Sequence, residues 1–135
     1  MDNERILYRL KELEYYMGLL EKILPAKSSE YTKLDEVKKA AIERYCQLIS
    51  EAQLDICKEI YKSMNLPPPN SNESIFQKLE GKIGSKTLSK IIKLREVRNE
   101  LVHAYSSFDD LRLFNALIPN DYMYDFVEDI KKLLS

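Results

Sequence analysis

Apolar side chains recur every three or four residues through stretches far too long to be strands, and this pattern constrains the fold more than any other feature. In residues 2–24 they are Ile6, Leu10, Leu13, Met17, Leu20 and Leu24, the spacing of a helix that buries one face. Asp2 stands where it can cap that helix. From Tyr31 to Met64 the positions Val37, Ala41, Tyr45, Leu48, Ala52, Ile56 and Ile60 continue the period, with Lys38, Lys39, Glu43 and Lys58 lying off it. A second helix, long and central, is therefore predicted over 31–64. Proline supplies the stops: Pro25 ends the first helix and the run Pro67-Pro68-Pro69 ends the second. Asn70-Ser71-Asn72 then leads into a short helix over 73–80. Gly81 and Gly84 allow a turn before Ser85, which can cap a helix from 85 to about 105. Asp109 and Asp110 signal another short helix, and Pro119 separates it from a last helix ending near Leu134. Three Gly and five Pro in 135 residues are too few for the turns of an all-β sandwich. The expectation is an all-α chain, one domain over 1–135, whose four main helices and short accessory ones form an antiparallel bundle.

Charge removes several functions. With 21 Lys plus Arg against 22 Asp plus Glu, no global field draws the chain to nucleic acid or to an anionic membrane, so any RNA contact must be local. No apolar run approaches the roughly 20 residues that span a bilayer, and Asp2, Glu4 and Arg5 spoil a signal peptide, so a cytoplasmic, membrane-free protein is expected. Cys46 and Cys57 fall on one helical stretch about 16 Å apart, too far to bridge within the chain, and read as buried thiols. The single histidine, His103, rules out an HExxH zinc site, and no metal or other cofactor is expected. Tyr8, Tyr15 and Tyr16 give the first helix more aromatic surface than one core stripe needs. A packed partner and an ordinary core role both fit them.

One segment gathers chemistry. Between Arg95 and Tyr105 lie the only imidazole, two guanidiniums, an amide and a phenol. On an ideal helix Arg98 and Tyr105 share the apolar side, while Asn99 is the i−4 neighbour of His103 and could fix its tautomer. Arg98 and His103 stand about 140° apart on that wheel, so bringing both to one phosphate calls for a long Arg side chain, a helix that ends near His103, or a second chain. An imidazole trades protons at neutral pH and a guanidinium holds two phosphate oxygens. Together they suit RNA cleavage without a metal, in which a base takes the ribose 2′-OH proton, an acid protonates the leaving oxygen, and a cation steadies the phosphate. Two proton carriers are needed where each chain owns one histidine, which argues for a homodimer pooling two copies of Arg98 and His103. The plain alternative is a dipole partner and a surface ion pair, Arg98 with Asp55 or Glu96. Asp55 could orient Arg98 or merely sit at the edge of the apolar stripe.

The run Arg98-Asn99-Glu100-Leu101-Val102-His103-Ala104-Tyr105 resembles the R-N-x-L-V-H-x-Y form of the R-x4-6-H motif of HEPN proteins, in their HepT-like branch. The stretches Ala41 to Tyr45 and Glu51 to Cys57 resemble the long second helix of that branch. The resemblance implies a helical-bundle homodimer that acts as the endoribonuclease toxin of a toxin–antitoxin pair, cutting mRNA or tRNA. It implies as partner a minimal nucleotidyltransferase antitoxin that attaches adenylate to Tyr105. Adenylate phosphates two residues from His103 would fill the cationic cleft and repel an RNA backbone. On this reading Arg98 binds phosphate, His103 carries the proton, Asn99 supports them, and Tyr105 is the modification site; Asp55 is added as a supporting residue from its place beside the apolar stripe. A competing reading, a non-catalytic subunit presenting substrate to a nucleotidyltransferase, leaves His103 incidental.

Overall fold

The computed structural model describes residues 1–103 and 110–135, with Val102, His103 and Asp110 described by their backbone alone. The elements among the described residues are helices: α1 (Asn3–Ile23), α2 (Ser28–Tyr31), α3 (Glu36–Lys62), α4 (Asn72–Lys78), α5 (Ser85–His103), α6 (Asp110–Leu117) and α7 (Asp121–Leu134). The four long ones form the antiparallel bundle. α3 packs on α1 and on α5, and α7 closes the ring by packing on both α1 and α5.

Local chemistry sets the helix ends. The Asp2 carboxylate accepts from the backbone N–H of Arg5 at 3.1 Å and starts α1 as expected. Ser71 and Ser74 cap α4 reciprocally. After α4 the chain turns through Gly81, whose φ of 89° suits a residue without a Cβ. Gly84 N–H then donates to Asp129 Oδ2 at 3.0 Å, fixing the start of α5 against α7.

The buried faces are Ile6, Leu10, Leu13, Met17 and Leu20 of α1, and Leu88, Ile91, Leu94 and Val97 of α5. Tyr122, Met123, Phe126, Val127 and Ile130 complete them from α7. Both cysteines are free and buried, as their spacing implied. Burial pushes both thiols far up from the ordinary range, with the Glu43 charge adding to the effect at Cys46. Neither is available as a thiolate nucleophile.

Two expectations for the second helix fail. The chain over 31–64 is not one helix, because Asp35 accepts from Lys38 N–H at 2.8 Å and opens α3 afresh. The break frees Tyr31 to lie buried against α6, its ring centroid 5.4 Å from that of Phe114. Val37 is 79% exposed rather than part of the stripe. Successive steps of four overshoot the helical period, so Val37 and Ile60 end up about 140° apart at 100° per residue. The true core face of α3 is Ile42, Cys46, Ile49, Gln53, Ile56 and Ile60. Among the described residues no helix is long and apolar enough to cross a membrane.

Candidate functional site

Arg98 follows the buried Val97 on α5 and lies on the flank that meets α3, so its stem is sheltered while its head reaches across the helix pair. Its side chain is 19% exposed. Nη2 stands 3.6 Å from Glu51 Oε1 on α3, and Nη1 donates to Asn99 Oδ1 at 3.0 Å. The Nε is shut off from solvent with no hydrogen-bond partner among the described residues. Glu51 is itself part of a row on α3. Arg44 Nη1 donates to Gln47 Oε1 at 3.0 Å, and Gln47 Nε2 donates to Glu51 Oε1 at 3.1 Å. Spacings of three and four residues bring these side chains onto one helix face. The result is a continuous polar chain, Arg44–Gln47–Glu51–Arg98–Asn99, running from one helix to the next. A recess of about 290 Å³ opens beside it, lined by Ala40, Glu43, Arg44, Gln47, Arg98 and Leu101.

Asp55 does not orient Arg98. One turn beyond Glu51, it faces α1, where Arg9 Nη2 donates to its Oδ2 at 2.5 Å and Arg9 Nη1 donates to Glu12 at 2.9 Å. Burial works against the Arg9 charge, but the hydrogen bond to Glu12 and the pull of Asp55 outweigh it and hold the guanidinium above the usual arginine value. Its position on the helix decides the matter: Glu51 lies on the side toward α5 and Asp55 on the side toward α1. Nor does Glu96 pair with Arg98, whose carboxylate partner is Glu51.

Asn99, expected beside His103, gives its carbonyl oxygen to Arg98. Within the motif Glu100 is also engaged, pairing with Arg112 of α6. The backbone of His103 lies in α5. The His103 side chain and Tyr105 lie outside the described residues. Among the described residues, no group of three His, Cys, Asp or Glu side chains could hold a metal ion.

Sequence reasoning missed Arg44, Gln47 and Glu51. The signal was present as a polar stripe at 44, 47, 51 and 55, on the side of α3 away from its apolar face.

The family model for ribonuclease HepT-like proteins matches residues 13–130. In fold the chain is similar to the tri-AMPylated Shewanella oneidensis HEPN toxin in complex with MNT antitoxin, with 20% identity, 98% of this chain and 99% of that one covered, and a TM-score of 0.82. It is likewise similar to a mutant of the toxin–antitoxin pair MntA-HpeT, at 20% identity over 96% of this chain and 99% of that one, TM-score 0.81. A third likeness is to YutE, a cytosolic protein of unknown function from Bacillus subtilis, at 22% identity over 99% of this chain and 91% of that one, TM-score 0.79. A sequence search of curated proteins finds no match. The family match runs from Leu13 in α1 to Ile130 in α7 and takes in both the Arg98 motif and the helix that holds it, so the chain belongs to the HepT-like family of HEPN proteins.

Proposed function

We propose that this chain is the toxin of a toxin–antitoxin pair, an endoribonuclease that needs no metal and works as a homodimer. The observation that carries the reading is Arg98, a half-buried guanidinium held across two helices by Glu51 and Asn99, five residues before the sole histidine. A mostly buried cation with a loose carboxylate partner is poised for a phosphate, whose bidentate grip can replace that partner.

In the reaction, one His103 takes the 2′-OH proton and the freed oxygen attacks the adjacent phosphorus. Arg98 steadies the added negative charge. The His103 of the second subunit protonates the departing 5′ oxygen, leaving a 2′,3′-cyclic phosphate and a 5′-hydroxyl. Each imidazole then exchanges its proton with water. Tyr105 takes no part in the chemistry and is the residue to which an MNT-type nucleotidyltransferase partner attaches adenylate. The similarity to a tri-AMPylated toxin bound to such an antitoxin supports this regulation. The phosphates would lie two residues from His103 and compete with RNA for Arg98.

The test is cleavage of tRNA and mRNA by protein made without its partner, compared with the His103→Ala and Arg98→Ala variants. Wild type is expected to cut, and His103→Ala to lose about 10²-fold or more of the rate. Intact mass should rise by whole adenylates on co-expression with the nucleotidyltransferase, and fail to rise in Tyr105→Phe. Unmodified wild-type protein that leaves every RNA whole would refute the reading and favour a non-catalytic subunit.

A further inference from the structure

The recess beside Arg98 is larger than the motif needs. Holding one scissile phosphate would occupy the Arg98 guanidinium alone, yet the same walls carry a second guanidinium, an amide, a carboxylate and two apolar side chains. We infer that the recess is the seat of the nucleotide next to the scissile phosphate, with Arg44 gripping that nucleotide's own phosphate. The inference rests on reading this site as one that engages RNA.

Size and lining both argue for one nucleotide. At about 290 Å³ the recess falls just under the roughly 300 Å³ of the smallest drug-sized pockets. Ala40 and Leu101 offer methyl surface to a base or sugar face. Glu43 adds a carboxylate, which has acceptor sites for more than one donor, while the Gln47 amide is engaged with Arg44 and Glu51. A bare anion would gain nothing from Glu43, whereas a base with an exocyclic amino group would. Single-stranded RNA is read in this way, on unstacked bases with their edges hydrogen-bonded.

Arg44 is exposed, so its guanidinium is free to swing to a backbone phosphate at little cost, and Gln47 holds it on the correct side of α3 in the meantime. The row of two hydrogen bonds and one ion pair also links the two cations. Gln47 bonds both Arg44 and Glu51, so the carboxylate that orients Arg98 is positioned by the residue that orients Arg44. Glu51 is a positioning residue here and Arg44 a binding residue. Neither reaches the reacting atoms by the proposed chemistry.

The experiment measures binding of a mixed-sequence single-stranded oligoribonucleotide to His103→Ala protein, in which the strand stays whole, between 50 and 200 mM salt. The measurement is repeated with Arg44→Ala and with Arg44→Lys added. Arg44→Ala is expected to weaken binding about tenfold, as loss of one charge-assisted phosphate contact does. It should also flatten the plot of log affinity against log salt by about 0.7 for each Arg44 that touches the strand. Arg44→Lys should keep the slope and lose only part of the affinity. Unchanged affinity and slope in Arg44→Ala would overturn the inference. So would a fall in the assembled mass of Arg44→Ala, which would mark the recess as a protein–protein surface. The two readings separate cleanly. Wild type that cuts RNA while Arg44→Ala binds normally loses the subsite and keeps the ribonuclease. Wild type that cuts nothing but binds RNA with an Arg44-dependent slope keeps the subsite and loses the ribonuclease.

Discussion

Gln53 sits in the middle of the α3 core face, fully buried between Ile49 and Ile56, and neither its Oε1 nor its Nε2 has a hydrogen-bond partner among the described residues. An amide taken from water without compensation costs about 1–3 kcal/mol judged from protein mutants. Methionine has nearly the same length and a flexible apolar thioether, so Gln53→Met removes that cost while keeping most of the space filled. The expected gain is about 2 kcal/mol. Unfolding entropy of about 2.1 cal/mol/K per residue over this length amounts to about 0.28 kcal/mol/K, so the midpoint should rise by about 7 °C. Calorimetry and urea titration at one fixed protein concentration would measure it, the fixed concentration keeping any subunit association constant. Gln53→Glu is the control: it buries a charge in the same place and should destabilise strongly. A loss of 1 kcal/mol or more in Gln53→Met would refute the reasoning, because it would mean that the amide is satisfied in the folded protein.

Alkaline conditions offer a second measurement. Burial raises the pKa of Cys46, Cys57 and Tyr122 in the fold, so above about pH 9 the unfolded chain gives up these protons first and binds fewer than the native state. Stability is then full below the ordinary cysteine and tyrosine values and falls as pH rises past them, by up to about 4 kcal/mol per pH unit with all three engaged. Urea midpoints that stay flat from pH 8 to 11 would contradict this. The same burial predicts that a thiol reagent at pH 8 labels neither cysteine in native protein and both in urea, whereas prompt labelling of the native form would place a thiolate at the surface.

Helix existence was legible because a buried face imposes its period on the sequence. The starts of α1 and α4 follow from Asp2 and Ser71, residues whose side chains compete for backbone N–H groups. What could not be read was rotation. A stripe drawn through Val37 and Ile60 satisfies local spacing, yet it drifts around the helix, and only packing against both α1 and α5 reveals which side is buried. The site divides along the same line. Arg98 and Asn99 adjoin in sequence and bond in space. The choice between Glu51 and Asp55 as partner depends on which neighbour each face of α3 meets, a tertiary fact that one turn of helix reverses.

On the proposed reading, that dependence is also how a chain of net charge −1 would present a phosphate site. A guanidinium with most of its stem buried needs a partner in the free protein, or its desolvation would push it out into water. Glu51 supplies that partner only loosely. At 3.6 Å, and with Glu51 itself 46% exposed, the contact is longer than a direct hydrogen bond and weakened by solvent. A phosphate with two oxygens for a bidentate grip would outcompete it. On the proposed reading, substrate would exchange with Glu51 rather than add to an unpaired charge, and the Gln47 bond to Glu51 present in the free protein would not have to break. The cation is held ready without a strongly basic surface around it, because the packing of α3 on α5 that buries the core also sets the distance from Glu51 to Arg98.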